Sequence, residues 1–244
     1  MKDSTSKNSR VTVAATALAL AAGSLSFGAQ AAPTTFFGVD VTAGAGNLAA
    51  QPNSDAARNA FFSNLAGVGT ETFESETLGA IAPLPIVFIG AGTATITGTG
   101  SIVGGAPTAT NQYGIGNSKY WNASTGSFRI NFSEAISAFG FYGIDIESEI
   151  LLDFTKSDGS ILTVNPGATN NSSGSIFYFG LFDTTDTFTS VLFKNVIGSS
   201  DILAFDNMSI GSRTQVTPVS EPGALALAGL ALAGLGLSRR SRKA

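Results

Sequence analysis

Between Thr70 and Ile210 the chain breaks into short runs of apolar and polar residues, divided by Gly, Asn, Asp and Ser. The runs cover 70–74, 93–97, 127–132, 138–145, 151–155, 160–164, 175–179, 188–194 and 202–210. A period of two marks a strand with one buried face, and many short runs between turn residues predict an all-β sandwich or barrel. Phe128-Arg129-Ile130-Asn131-Phe132 alternates cleanly, whereas Phe188 to Phe193 carries apolar residues on both faces, as a central strand does. Asp158-Gly159, between LLDFTK and SILTV, reads as a hairpin turn. One segment has helical spacing instead. In 55–65, Ala57, Ala60, Phe61 and Leu65 share a face, Ser54 suits an N-cap and Gly67 a stop. This predicts one short helix packed at an end of a sheet. The stretch 79–116 is rich in Gly, Ala and Thr, so register is weakly fixed there and part of it reads as a long mobile loop. Phe139, Phe141, Phe177, Phe179 and Phe182 are expected in the core.

Two stretches are apolar without any period. Residues 11–27 follow Lys2, Lys7 and Arg10 and precede Ala29-Gln30-Ala31. That is the layout of a secretory signal peptide, with cleavage expected after Ala31. Residues 223–237 contain only Gly, Ala and Leu, between Val219-Ser220-Glu221-Pro222 and the bases Arg239, Arg240, Arg242 and Lys243. As a helix this run would rise about 22 Å, against a bilayer core about 30 Å thick. Such a transmembrane helix spans only with local thinning or snorkelling arginines. It has no polar face with which to dock on a soluble domain. A weak span beside a polar, proline-containing hinge suits a temporary anchor. With export at the front, the positive-inside rule leaves the basic tail cytoplasmic and the body outside the inner membrane. The expected organisation is therefore a signal peptide at 1–31, an ectodomain at 32–217 and a tail at 218–244, divided into motif 219–222, helix 223–237 and basic end 238–244.

The three-part tail resembles a PEP-CTERM sorting signal, with Ser220 in place of the first proline and Glu221-Pro222 retained. The resemblance implies processing near Glu221-Pro222 by an exosortase, a membrane cysteine transpeptidase. It also implies a Gram-negative bacterium that exports exopolysaccharide, and delivery to the cell surface or extracellular matrix. GVGTETFESE, AFGFYGIDIES and ILAFDNMSIGS resemble a jelly-roll-like ectodomain common in proteins with this tail. That domain implies a carbohydrate-binding type of β-sandwich with no assigned activity.

Charge and composition narrow the chemistry. The whole chain has a formal net charge of −4, but residues 32–218 carry six bases and fifteen acids, a net −9. This disfavours nucleic acid, whose binding rests on phosphate neutralisation, and attracts divalent cations. There is no cysteine and no histidine. Disulfides, Ser-His-Asp and Cys-His nucleophiles, and thiolate or imidazole metal sites are thereby excluded. Oxygen-ligated calcium and a carboxylate-pair glycosidase remain open.

Three clusters are candidate sites. Glu74, in an early strand, and Asp206, in the last, could share a structural calcium if those strands lie side by side. The alternative is a solvated acidic edge. Asp145, Glu147 and Glu149 alternate on an extended chain, with Asp153 following; they suit a cation site, half of a glycosidase pair, or a solvated strand end. Tyr113, Tyr120 and Trp121, with Asn117, Lys119 and Asn122, could form a sugar-stacking surface or pin a loop to the core. The function expected is that of a non-catalytic surface or matrix protein associated with exopolysaccharide. The alternatives are a carboxylate-dependent glycosidase or lyase acting on that polymer, and a matrix protein without a ligand.

Overall fold

The computed structural model describes residues 32–41, 50–105, 111–123, 128–146, 150–166, 174–195 and 203–217. In chain order the strands are β1 (Thr34–Asp40), β2 (Thr70–Glu71), β3 (Leu84–Phe88), β4 (Gly92–Gly98), β5 (Ser101–Val103), β6 (Tyr120–Ala123), β7 (Phe128–Ile136), β8 (Ala138–Ile144), β9 (Ile150–Lys156), β10 (Ile161–Val164), β11 (Ile176–Phe182), β12 (Phe188–Asn195) and β13 (Leu203–Gly211). Helix α1 (Pro52–Phe62) follows β1. One sheet runs β1-β11-β8-β13-β6-β5, with β2 also on β13; the second runs β10-β9-β12-β7-β4-β3. The fold is the expected jelly-roll-like β-sandwich with one short helix. From β6 onward the chain passes from sheet to sheet, apart from the β9–β10 hairpin. Ser137 alone separates β7 from β8. It is buried at the corner, donating its N–H to Gly211 O (2.8 Å) and accepting the Asp183 N–H (2.9 Å).

The core follows from the period of two. Phe139 and Phe141 of β8 and Phe177 and Phe179 of β11 point between the sheets, meeting Phe128, Phe154, Phe193 and Phe205. Phe128 stacks on Phe193 at 4.2 Å between centroids, and Phe141 lies 5.0 Å from Phe205. Each such side chain, fully buried, contributes about 1.5–3 kcal/mol. The intervening residues of β8 and β11, including Tyr142, Ile144 and Tyr178, are buried too, because a second apolar cluster covers the other face of that sheet. Phe182 belongs to this second cluster.

Helix α1 lies on that face at one end of the sheet, against β1 and β11. It also starts earlier than its sequence suggests. Pro52 fits the first turn, where no N–H is needed. Its cap is supplied from another strand: Asp40 at the end of β1 accepts the N–H of Asn53 (3.1 Å) and of Ser54 (2.8 Å). Ser54, expected to cap, sits inside the helix and turns its hydroxyl to Gly38 O and Ile176 O. Phe61 seats in a hollow made by glycine. A Cβ on Gly180 would come 2.7 Å from the Phe61 ring, and one on Gly140 would meet Phe61 and the Tyr178 hydroxyl. Gly180 and Gly140 are direct register partners, so two strands supply one gap.

Eight of the nine predicted runs are strands over most of their length; the ninth, 70–74, is a strand only at Thr70–Glu71, so Glu74 lies in the turn that follows β2. Strands β1, β3, β5 and β6 were not anticipated. Three strands, β3, β4 and β5, lie in the Gly, Ala and Thr-rich stretch and take up nearly half of its described residues. In β3, Leu84, Ile86 and Phe88 alternate inward, and this compensates for the small side chains of β4 opposite them.

The glycine hollow is directly testable. Gly180→Ala is expected to cost about 1–3 kcal/mol through overpacking and Phe61→Ala about 3–5 kcal/mol, read from urea denaturation. Because the two share one contact, the alanine at 180 should cost much less in the Phe61→Ala background. Equal costs in both backgrounds would show that the ring is seated elsewhere.

Candidate functional site

The three aromatic candidates are in strand β6 and the segment before it. Neighbouring residues on a strand face opposite ways, so Tyr120 and Trp121 cannot form one platform. Trp121 points between the sheets and is 0% exposed; Tyr120 and Tyr113 join the second cluster beneath α1 and the 111–118 segment. Tyr113 donates its hydroxyl to Gly174 O (2.8 Å). With their faces sealed, these rings offer nothing to a pyranose; they pin the segment to the sheet. Lys119 is likewise occupied, its ammonium donating to Glu74 O (2.8 Å) and Glu76 O (2.7 Å). Asn122 donates to Gln112 Oε1 (3.2 Å).

Glu74 and Asp206 are brought to the same place. Strand β2 pairs with β13, Glu71 opposite Met208, so the early and last strands are neighbours. Both acids then grip the segment 115–119. Asp206 Oδ2 accepts the Ile115 N–H (2.8 Å) and the Ser118 hydroxyl (3.4 Å), while Oδ1 accepts the Asn207 N–H (2.6 Å). Glu74 Oε1 accepts the Lys119 N–H (2.6 Å). Asp206 sits at a register shift in β13, beside Asn207 at φ +50°. Burial pushes the Asp206 carboxyl up from 3.8 to about 7; the donors of Ile115, Asn207 and Ser118 oppose this, and the Glu74 charge adds to it. A cation here would have to displace three donors from Asp206. Among the described residues no group of three or more acids converges.

Of the acids that follow β8, Asp145 adopts φ +61°, and its buried carboxylate accepts the Gly174 N–H (2.8 Å). Asp153 lies on the outer face of the second sheet, 2.6 Å from the Lys194 ammonium, and accepts the Thr163 hydroxyl at 2.7 Å. Glu147 and Glu149 lie outside the described residues, as do Ala31, the motif Val219-Ser220-Glu221-Pro222 and the basic end. The side chain of Asn117 is also outside them.

One surface escaped the sequence reading. The outer face of the second sheet is a bonded field of short polar side chains. Arg129 donates to Ser190 Oγ (2.8 Å), Ser190 to Thr155 Oγ1 (3.1 Å), and Asn131 to Thr97 Oγ1 (3.3 Å). Its signal was present in the alternate residues Thr93, Thr95 and Thr97 of β4 and Arg129 and Asn131 of β7, which face outward while Ala94, Ile96, Phe128 and Ile130 face the core.

Asp206 should leave a mark on stability. A carboxyl with a raised folded-state pKa stabilises fully below its unfolded value near 4, and that contribution is lost as pH rises through about 7. The Tm advantage of the wild type over Asp206→Asn should therefore shrink by several degrees from pH 5 to pH 8, at about 2–4 °C per kcal/mol for a domain of this size. An advantage that grows with pH over that range would contradict the assignment.

Comparison with known proteins gives the following. No curated protein matches the chain. Among solved structures, the K2 cleaved adhesin domain of Lys-gingipain is similar at 12% identity and a TM-score of 0.41, over 59% of this chain and 98% of that one. A variant of a family 29 carbohydrate-binding module is similar at 14% identity and a TM-score of 0.28, over 78% of this chain and 99% of that one. Residues 218–243 match the PEP-CTERM protein-sorting motif, so the chain carries at its C-terminus the sorting signal of an exported protein.

Proposed function

We propose that this is an exported, non-catalytic protein of a Gram-negative envelope, held briefly in the inner membrane by residues 223–237. An exosortase cleaves it near Glu221-Pro222, and the body then joins the exopolysaccharide of the cell surface or matrix. The observation that carries the reading is the tail match at 218–243. The body's net charge of −9 between residues 32 and 218 fits a soluble matrix component and gives nucleic acid no purchase. Contact with polysaccharide falls to the outer face of the second sheet, where hydroxyl, amide and guanidinium groups on neighbouring strands match a polymer of hydroxyls. Catalysis has little support: the chain has neither cysteine nor histidine, and Asp145, Asp153 and Asp206 all hold structural partners. A matrix protein without a ligand is the second reading, favoured by the burial of Tyr113, Tyr120 and Trp121.

Two measurements test this. Mass spectrometry of the protein extracted from native cell surfaces should find a C-terminus near Glu221 or Pro222; mature protein that retains Arg242 and Lys243 would remove the sorting reading. In a pull-down with the host's own exopolysaccharide, Arg129→Ala with Asn131→Ala should weaken binding several-fold while Trp121→Phe leaves it unchanged. No binding by the wild-type body would leave the ligand-free matrix protein.

A further inference from the structure

The second sheet ends in an apolar edge. In β3 the inward residues Leu84, Ile86 and Phe88 are buried, but Val87 is 78% exposed and Ile89, just beyond the strand, is 88% exposed. Strand β3 pairs with β4 on one side only, so its other edge has no strand partner within the sheet. The Phe88 carbonyl accepts the Ala91 N–H across the turn, so Phe88 faces β4 and its neighbours Val87 and Ile89 turn their backbone groups to the free side. A groove of about 470 Å³ opens there, lined by residues 67–71, Val87, Phe88 and Ile89. Neither Lys nor Arg lines it. Its one charged residue, Glu71, is turned onto the Phe73 N–H.

The end of the described chain is fixed beside this edge. Gln215 donates from its side-chain amide to Gly67 O (2.7 Å) and to Ile89 O (3.3 Å). Val216 bridges to Leu65, and Thr217 donates its N–H to Asn64 O (2.9 Å). From Thr217 only five residues, 218–222, precede the apolar run 223–237. Fully extended, they reach about 20 Å, whereas a strand as long as β7 covers about 30 Å. While the run is in the membrane, the body cannot turn its far end to the lipid. The end that carries Ile89 then stays within that reach of the lipid.

We propose that the β3 edge, through Val87 and Ile89, rests in the lipid surface that holds the tail, so that the unprocessed body sits on the membrane in one orientation. The proposal rests on the reading of residues 223–237 as a membrane anchor. Its chemistry is apolar: two aliphatic side chains with no basic neighbour in the groove suit the acyl boundary rather than anionic headgroups. Neutral lipid should therefore suffice. Cleavage of the tail would free the patch, since two aliphatic side chains alone make a weak hold.

The absence of cysteine allows a clean test. Single variants Ile89→Cys, Thr99→Cys and Leu230→Cys of the full chain are labelled with an environment-sensitive fluorophore and reconstituted in phosphatidylcholine vesicles that carry lipid-borne quenchers, shallow ones for positions 89 and 99 and mid-bilayer ones for position 230. Thr99 lies in the turn at the opposite end of β4 and is the exposed control. The Leu230 and Ile89 labels are expected to be quenched several-fold more than the Thr99 label, and adding Val87→Asp should return the Ile89 label to the Thr99 level. A quenched Leu230 label with Ile89 at the Thr99 level overturns the docking while leaving the anchor intact. An unquenched Leu230 label overturns the anchor, and the docking falls with it. Shielding of Ile89 that rises with protein density at constant lipid shows a second copy on the edge and also overturns the proposal.

Discussion

The organisation of the body depends on burying one sheet from both sides. Strands β8, β11 and β13 carry phenylalanine on the face toward the other sheet and tyrosine, isoleucine, alanine and Phe182 on the opposite face. Neither face can be left to water. The inner face is closed by the second sheet. The outer face needs two separate covers, helix α1 and the 111–118 segment. Each cover is fitted closely: α1 by the glycine hollow that receives Phe61, the segment by Tyr113 and by the grip of Asp206 and Glu74 on its backbone. The consequence is geometric: with that sheet largely covered on both faces, the outer face of the second sheet is left as an open polar face of the described body.

Much of the fold could be read from the chain because the period of two is enforced wherever one face meets the core. The runs at 128–136 and 188–195 show this, as do the phenylalanines of β8 and β11. Strands β5 and β6 were missed because they are short and lie where the sequence is dominated by turn formers. The helix start was missed because its cap is not local. Asp40 lies more than ten residues before it, and only the pairing of β1 with β11 brings that carboxylate to Asn53 and Ser54. The candidate sites show the same division. The approach of Glu74 and Asp206 to one place followed from the neighbourhood of early and late strands. The fate of Tyr120 and Trp121 did not, since recognising them as buried on opposite faces requires knowing that they form a strand. The polar face of the second sheet was written in the alternate residues of β4 and β7, but those positions read as ordinary solvated surface until the four other strands align beside them.

A protein built for export without disulfides must fasten its loops by other means, and here carboxylates do so. Asp40 caps α1; Asp55 accepts the Tyr142 hydroxyl at 2.6 Å and ties the same helix to β8. Asp145 holds Gly174, and Asp183 folds its own turn by accepting from Thr185 and Asp186. Asp206 and Glu74 hold the 115–119 backbone. Apart from Asp55, which lies on the helix and accepts from a strand, each is an acidic side chain on or beside a strand or turn that accepts donors from a neighbouring loop, turn or helix. Where the carboxylate is ionised and protected from water, a charge-assisted bond of this kind is worth roughly 1.5–3 kcal/mol, comparable with the ~2–4 kcal/mol that one disulfide contributes. The same use accounts for several of the body's acids without a cluster: Asp40, Asp145, Asp183 and Asp206 each accept donors of the polypeptide backbone. A hydrolytic pair needs two carboxyls facing a common cleft about 5–9 Å apart, and the acids best placed by the fold to be buried and polarised are those whose lone pairs the backbone has already taken.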